Sequence, residues 1–175
     1  MGIPYVPVLG LAGSDVAARR SDFTIAPNPF NPEEKFVVAK AINPDVAIFH
    51  CAKADRAGNV LTRKKGNEML LAQASRKVIV TAEEIVDKLS LDDAPGRFMP
   101  GVHVTAVVRA PFGAYPTEAT GYYDEDEEQI LEYVKASDSD EAFSRYLDKN
   151  VFAFDSHDAY LESRRLSPAR VAAAL

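Results

Sequence analysis

The run Val46-Ala47-Ile48-Phe49-His50-Cys51, set between the turn Asn43-Pro44-Asp45 and the loop Ala54-Asp55-Arg56-Ala57-Gly58-Asn59, decides the fold class. It is apolar up to a terminal histidine and shows no polar alternation, the pattern of a strand buried on both faces. Working outward, Phe36-Val37-Val38-Ala39 and Val78-Ile79-Val80 have the same texture. Val102 to Val108 reads as the last strong strand, with His103 and Thr105 among β-branched residues. Between these runs Asn67 is suited to cap a helix over about Glu68 to Ser75, whose apolar surface is Met69, Leu70, Ala72 and Ala74. Thr81-Ala82-Glu83-Glu84 has the spacing of a capping box and predicts a short helix through Asp87. Asp92 to Pro100 reads as loop. Strands alternating with short helices predict an α/β fold, an open, largely parallel sheet flanked by helices.

The two ends of the chain read differently. Residues 1–34 are rich in Gly, Pro and Asn and read mostly as loop, the three prolines of Ala26 to Pro32 opposing both helix and central strand. Past Pro111 the pattern becomes helical. The acidic run Asp124 to Glu128 opens a helix through Ile130, Leu131 and Val134, and a second covers Glu141 to Lys149. Two more are expected near Asp158 to Arg165 and Pro168 to Leu175. The expected organisation is a single domain over 1–175, with a loop-rich start (1–34), an α/β core (35–110) and a mainly helical region (111–175).

Composition narrows the function classes. With 175 residues, 47% hydrophobic and 26% charged, the chain has the make-up of a folded soluble domain. Its net charge of −6 argues against a general nucleic-acid binder, which needs an excess of Lys and Arg. The charge is local. Asp124 to Asp148 carries ten acidic and two basic residues (−8), leaving +2 for the rest, and Lys53, Arg56, Arg63, Lys64 and Lys65 make one stretch basic. A single cysteine, Cys51, leaves no internal disulfide framework and fits a reducing compartment. The apolar opening lacks a basic leader region and is broken by Pro4 and Pro7, and Val6 stands where a myristoylation signal needs Ser or Thr. A cytoplasmic protein with no membrane association is expected.

General catalytic motifs are missing. There is no phosphate-binding P-loop or nucleophile elbow, and Gly10-Leu11-Ala12-Gly13 is too incomplete for a dinucleotide fingerprint. His50, His103 and His157 have no metal-ligand spacing among themselves or with Cys51, so no metal is expected. In open α/β sheets the carboxyl ends of strands face the ligand crevice, which singles out His50, Lys53 and the Asp55–Asn59 turn. The competing reading makes His50 a satisfied core residue, and periodicity favours it. For Glu83 and Glu84 the capping box and the helix dipole suffice without catalysis.

Four ordered blocks carry a family resemblance. Asn43 to His50 followed by Ala54 to Val60, then Val78 to Val86 and Pro100 to Val108, resemble the α subunit of the family I coenzyme A transferases. Arg109-Ala110-Pro111-Phe112-Gly113-Ala114-Tyr115-Pro116, with Gly121-Tyr122-Tyr123, looks like the glutaconate coenzyme A-transferase branch, which also includes relatives of a steroid-ring hydrolase. The resemblance implies a heteromer of α and β subunits with the active site between them, and no permanently bound cofactor. The acyl-coenzyme A thioester enters as substrate. It also implies that the nucleophilic glutamate belongs to the β subunit, since its Glu-x-Gly neighbourhood has no counterpart here. No catalytic residue is therefore expected in this chain.

The match begins near residue 3, at what is mid-subunit in the family, so a C-terminal part is expected, with the family's N-terminal strands absent. Such a sheet should leave an apolar face uncovered and self-associate. His50, Lys53, Asn59, Arg63 and Asn67 are the substrate- or coenzyme-A-adjacent candidates, with Arg63 or Lys53 facing a carboxylate or phosphate. A coenzyme-A-dependent carbon–carbon hydrolase and a non-catalytic scaffold are the alternatives.

Overall fold

The computed structural model of the chain describes residues 2–91 and 96–167. These divide into two compact units, Met1–Asp45 and Val46–Leu175.

The first unit is a small antiparallel sheet. Strands β1 (Tyr5–Val8), β2 (Phe23–Asn28) and β3 (Asn31–Lys40) are ordered β1-β3-β2, with a short helix α1 (Asp15–Arg19) between β1 and β2. Ser14 caps α1 by accepting a hydrogen bond from the Ala17 N–H. This corrects the expectation of loop over 1–34 and the expectation that N-terminal strands are absent. The prolines are tolerated because of where they fall. Pro27 lies on β2, an edge strand, and Pro32 on the end of β3 that β1 does not reach. Asn28 Oδ1 accepts from the Phe30 N–H and closes the β2–β3 turn. Only Val37 is fully buried among the described residues of this unit, so burial periodicity gave little sign of its strands.

The second unit holds a five-stranded mixed sheet in the order β7-β5-β4-β6-β8. Its strands are β4 (Val46–Asp55), β5 (Val60–Thr62), β6 (Lys77–Val86), β7 (Arg97–Met99) and β8 (Ala106–Arg109). Pairings β4–β6 and β6–β8 are parallel, and β4–β5 and β5–β7 are antiparallel. With both first-unit pairings antiparallel, the expected largely parallel sheet gives way to a mixed architecture in which antiparallel pairings predominate. Connection length explains the difference. Parallel neighbours need a crossover of about a dozen residues or more, which helix α2 (Glu68–Ala74) helps supply between β4 and β6. The Asp55–Asn59 turn allows only an antiparallel return, closed by Asp55 N–H to Asn59 C=O at 2.9 Å.

Two further local expectations are overridden. Thr81–Glu84 does not open a helix; it continues β6, because Thr81 and Ala82 are paired with β4 on one side and β8 on the other. Ladder bonds on both flanks outweigh a local capping pattern. The expected strand from Val102 to Val108 is a 3₁₀ turn over Gly101–His103 followed by β8, and the loop expected over 92–100 contains β7.

The core lies between α2 and one face of the sheet. Ala47, Cys51, Val78, Val80, Ala82 and Met99 are buried there with Ala72 of α2, and Phe49 and Met69 pack against them. Helices α3 (Glu127–Ala136), α4 (Asp140–Asn150) and α5 (His157–Ser163) fall where helical patterning placed them. Asp126, Ser139 and Ser156 cap them through their side chains. The helix expected over Pro168 to Leu175 lies outside the described residues. No helix among the described residues is long and apolar enough to cross a membrane.

Candidate functional site

Successive side chains of a strand point to opposite faces, so His50 and its neighbour Phe49 belong to different surfaces of the sheet. On the His50 face, parallel register sets His50 beside Thr81 of β6. Alternation brings Glu83 to that same face.

Glu83 is the centre of a closed hydrogen-bond cluster. Its carboxylate Oε1 accepts from His50 Nε2 at 2.7 Å and from the Tyr123 hydroxyl at 2.6 Å. Its Oε2 accepts from the Phe112 N–H at 2.7 Å. The Tyr123 oxygen in turn accepts from the Ala114 N–H, and His50 Nδ1 lies 2.9 Å from Thr81 Oγ1. Burial by itself would raise the Glu83 pKa, but the bonds from His50, Tyr123 and Phe112 outweigh it and hold the carboxyl below its ordinary range. An ionised Glu83 only accepts, so His50 Nε2 carries a proton. Burial first, and then Glu83, raises the Tyr123 phenol.

The segment after β8 is fastened down by this cluster. Phe112 adopts a left-handed backbone conformation (φ 57°), which costs an L-residue about 1–2 kcal/mol, and the bond from its N–H to Glu83 works against that cost. Gly113 must be glycine, because a Cβ there would come within 2.7 Å of the His50 ring. Phe112 stacks on Tyr123 at 4.7 Å between ring centroids and is buried with Leu161 of α5. His157 Nε2 lies 2.7 Å from the Pro111 carbonyl, a further tie between α5 and the segment. With every polar side-chain atom of Glu83, His50 and Tyr123 engaged, the cluster can hold the 111–123 segment but presents no free group to a substrate. Cys51, on the other face, has its thiol pushed up to about 12, first by burial and then by Glu83, so it is no thiolate nucleophile at neutral pH.

Two other sequence candidates are also committed. Lys53 is 3.7 Å from Glu84, its partner in register on β6. Asn59 donates to Asp55 Oδ2 at 2.8 Å and accepts from the Gly101 N–H at 2.9 Å, fixing the turn to the loop after β7. Asp55 is buried and accepts from the N–H groups of Ala57, Asn59 and Leu89 as well. Burial would raise its pKa, but these bonds hold it below the usual value.

Arg63 and Asn67 come together. They line a groove of about 560 Å³ with Phe49 of β4, Lys65, Gly66, and Glu68 and Leu71 of α2. Phe49 is the one β4 residue in this lining, and β5 pairs β4 only farther along, at Lys53 and Ala54. Arg63 Nε donates to Glu68 Oε1 at 2.8 Å, and Nη2 lies 2.8 Å from the same oxygen as an ion pair. The Arg63 side chain is 80% exposed while that of Glu68 is 6% exposed, so a buried carboxylate grips a guanidinium whose outer edge faces solvent. Asn67 occupies the N-cap position of α2 but makes no side-chain capping bond. No group of three or more His, Cys, Asp or Glu suited to a metal ion occurs among the described residues.

Sequence reasoning set Glu83 aside as a helix residue and passed over Tyr123 and Glu68. A hint for Glu83 was the period-2 continuation of β6, where Thr81 and Glu83 alternate with Val80 and Ala82.

The family model for coenzyme A transferase matches residues 2–110. The chain is 34% identical over 178 residues to the A subunit of glutaconate CoA-transferase from Acidaminococcus fermentans, covering 92% of this chain and 56% of that protein. It is 33% identical over 153 residues to the A subunit of 3-oxoadipate CoA-transferase from Pseudomonas knackmussii, covering 86% and 53%. The crystal structure of glutaconate coenzyme A-transferase from Acidaminococcus fermentans superposes with a TM-score of 0.82 at 32% identity, over 97% of this chain and 58% of that one. The chain thus spans about half the length of these curated relatives. A match over 2–110, joined to a shared fold at this identity, places the chain: it belongs to the coenzyme A transferase family.

Proposed function

We propose that the chain serves as an α-type subunit, or a part of one, of an enzyme that moves coenzyme A between an acyl-coenzyme A and a carboxylate. The nucleophilic glutamate lies on a partner β subunit. Its carboxylate attacks the thioester carbonyl and expels the coenzyme A thiolate, forming an anhydride. The thiolate then attacks the glutamyl carbonyl and releases the first carboxylate, leaving a glutamyl thioester that the incoming carboxylate opens by the reverse steps. No oxidant or reductant is needed.

The observation that carries this reading is the groove at Arg63 and Asn67, a cationic and amide-bearing surface beside the apolar Phe49 and Leu71 on a chain of this family. Such a surface suits an anionic thioester with an apolar arm. A partner is supported by the opposite sheet face, where Val46, Ile48 (68% exposed) and Val108 lie open. Within this reading the Glu83 cluster is a rigid support for the 111–123 segment.

The test is co-expression with a β-type subunit, followed by assay of transfer from dicarboxylyl-coenzyme A donors to carboxylate acceptors. Co-purification, acceptor-dependent transfer and a borohydride- or hydroxylamine-sensitive thioester on the partner are expected. Thioester loss without need of an acceptor would select hydrolysis. Absence of both a partner and turnover would leave a scaffold.

A further inference from the structure

Phe30, at the tip of the β2–β3 hairpin, is 95% exposed. Single exposed apolar residues are common and by themselves need no explanation. This one is held in place. Asn28 Oδ1 accepts from the Phe30 N–H at 3.0 Å, and Asn28 and Asn31 each donate through Nδ2 to one oxygen of Glu34, at 2.9 and 3.0 Å. Pro29 and Pro32, on either side of Phe30, fix two more backbone angles. Residues 29–35 are all exposed, so this order costs conformational freedom and brings the fold no buried surface. What it yields is a preorganised aromatic anchor, the kind of group that carries much of the energy of a contact. Glu33, three residues on, is exposed and takes part in no ion pair among the described residues. The tip therefore offers one ring and one carboxylate.

The complement lies elsewhere on the same sequence. The groove beside α2 has an apolar wall of Phe49 and Leu71, with Arg63 and Lys65 in its lining. Its volume of about 560 Å³ is well above the roughly 150 Å³ that accepts a benzene ring. The outer guanidinium edge of Arg63 faces solvent, which suits a carboxylate.

We propose that the hairpin tip of one copy of this chain docks into the groove of a second copy, Phe30 against Phe49 and Leu71, and Glu33 against Arg63 and Lys65. The two surfaces are unlike, so a pair of copies either closes by exchanging tips or extends into chains. A tip of this size buries less than a standard interface, so the association is weak. One consequence rests on the reading of the groove as the thioester site: self-docking closes that site, and the thioester opens it by competition.

Sedimentation of the full chain over about 5 to 200 μM tests this, a range matched to weak association. Mass should rise with concentration. Phe30→Ala should weaken association about tenfold or more while the melting temperature stays unchanged, since the ring buries nothing. Glu33→Lys and Lys65→Glu should each weaken it about fivefold, and the chain carrying both reversals should regain it. Ile48→Ser, on the open sheet face, should leave it as it is.

A monomer throughout the range overturns the proposal. So does association that survives Phe30→Ala, or that Ile48→Ser abolishes, because the open sheet face would then be the contact. Paired reversals that fail to restore association overturn the match of Glu33 to Lys65. Coenzyme A in excess should return the chain to monomer. If it does not, while Phe30→Ala and the reversals behave as expected, self-docking stands and the groove is not the thioester site.

Discussion

Phe49 and His50 are chain neighbours on β4, yet they open onto two polar regions built to opposite rules. On the His50 side, Glu83 takes three donors and every polar side-chain atom of His50 and Tyr123 has a partner. On the Phe49 side, Glu68 leaves an oxygen without a donor, Asn67 declines its capping role and the Arg63 guanidinium is mostly in solvent. The difference separates holding from receiving. A saturated cluster gains the full benefit of low dielectric and resists change, whereas an unsaturated one keeps its bonding capacity for something that arrives. His50, which the sequence places at a strand end and the structure places in the middle of β4, belongs to the first kind.

The largest expected effect comes from breaking the saturated side. Glu83→Gln keeps the side-chain volume but turns an acceptor of three bonds into a group with its own donors, set against His50, Tyr123 and the Phe112 N–H. Chemical denaturation should show a loss of about 3 kcal/mol, typical of removing one member of a buried charged network. A loss below about 1 kcal/mol would mean the cluster is not what holds the 111–123 segment. Gly113→Ala should follow at about 2 kcal/mol, because the new methyl group meets the His50 ring and the Ala110 carbonyl.

Acid gives a comparison without mutation. The Glu83 and Asp55 carboxyls are both held below their ordinary range in the folded chain. Groups of that kind add stability that is fully present above the unfolded carboxylate value of about 4 and is lost as pH falls through the folded value. Thermal melts should therefore drop steeply below about pH 4, and the gap between the native chain and Glu83→Gln should narrow there. A gap that stays constant across that range would contradict an ionised Glu83 at the centre of the cluster.

These outcomes bear on what was legible in the sequence. Strand β4 and helices α2 to α5 could be read because their apolar spacing or capping residues act locally. The first unit could not, since its strands bury almost nothing and their prolines are harmless only at an edge that pairing creates. The Glu83 cluster was hidden for a related reason. Its members come from residues 50, 81, 83, 112 and 123, and the Thr81–Glu84 spacing imitates a helix start until two flanking strands claim it. Arg63 and Asn67 could be picked by residue type and position. Glu68 could not, because nothing local distinguishes a carboxylate in a helix's first turn from one that reaches back to grip the preceding loop.

The smallest expected effect is the most telling for the groove. Arg63→Ala removes an ion pair whose guanidinium is largely solvated, which contributes little to folding, and it also leaves Glu68 buried without its cation. If the pair mattered chiefly for stability, the orphaned carboxylate would cost about 3 kcal/mol. Glu68 has a cheaper course: it can turn from beneath Gly66 toward the open groove that it lines. Arg63→Ala is therefore expected to change unfolding free energy by no more than about 1 kcal/mol, well under the effect of Glu83→Gln. Denaturation of the two variants side by side checks this. An Arg63→Ala loss equal to that of Glu83→Gln would erase the contrast between the two faces of the sheet and make the Arg63–Glu68 pair one more element that holds the fold.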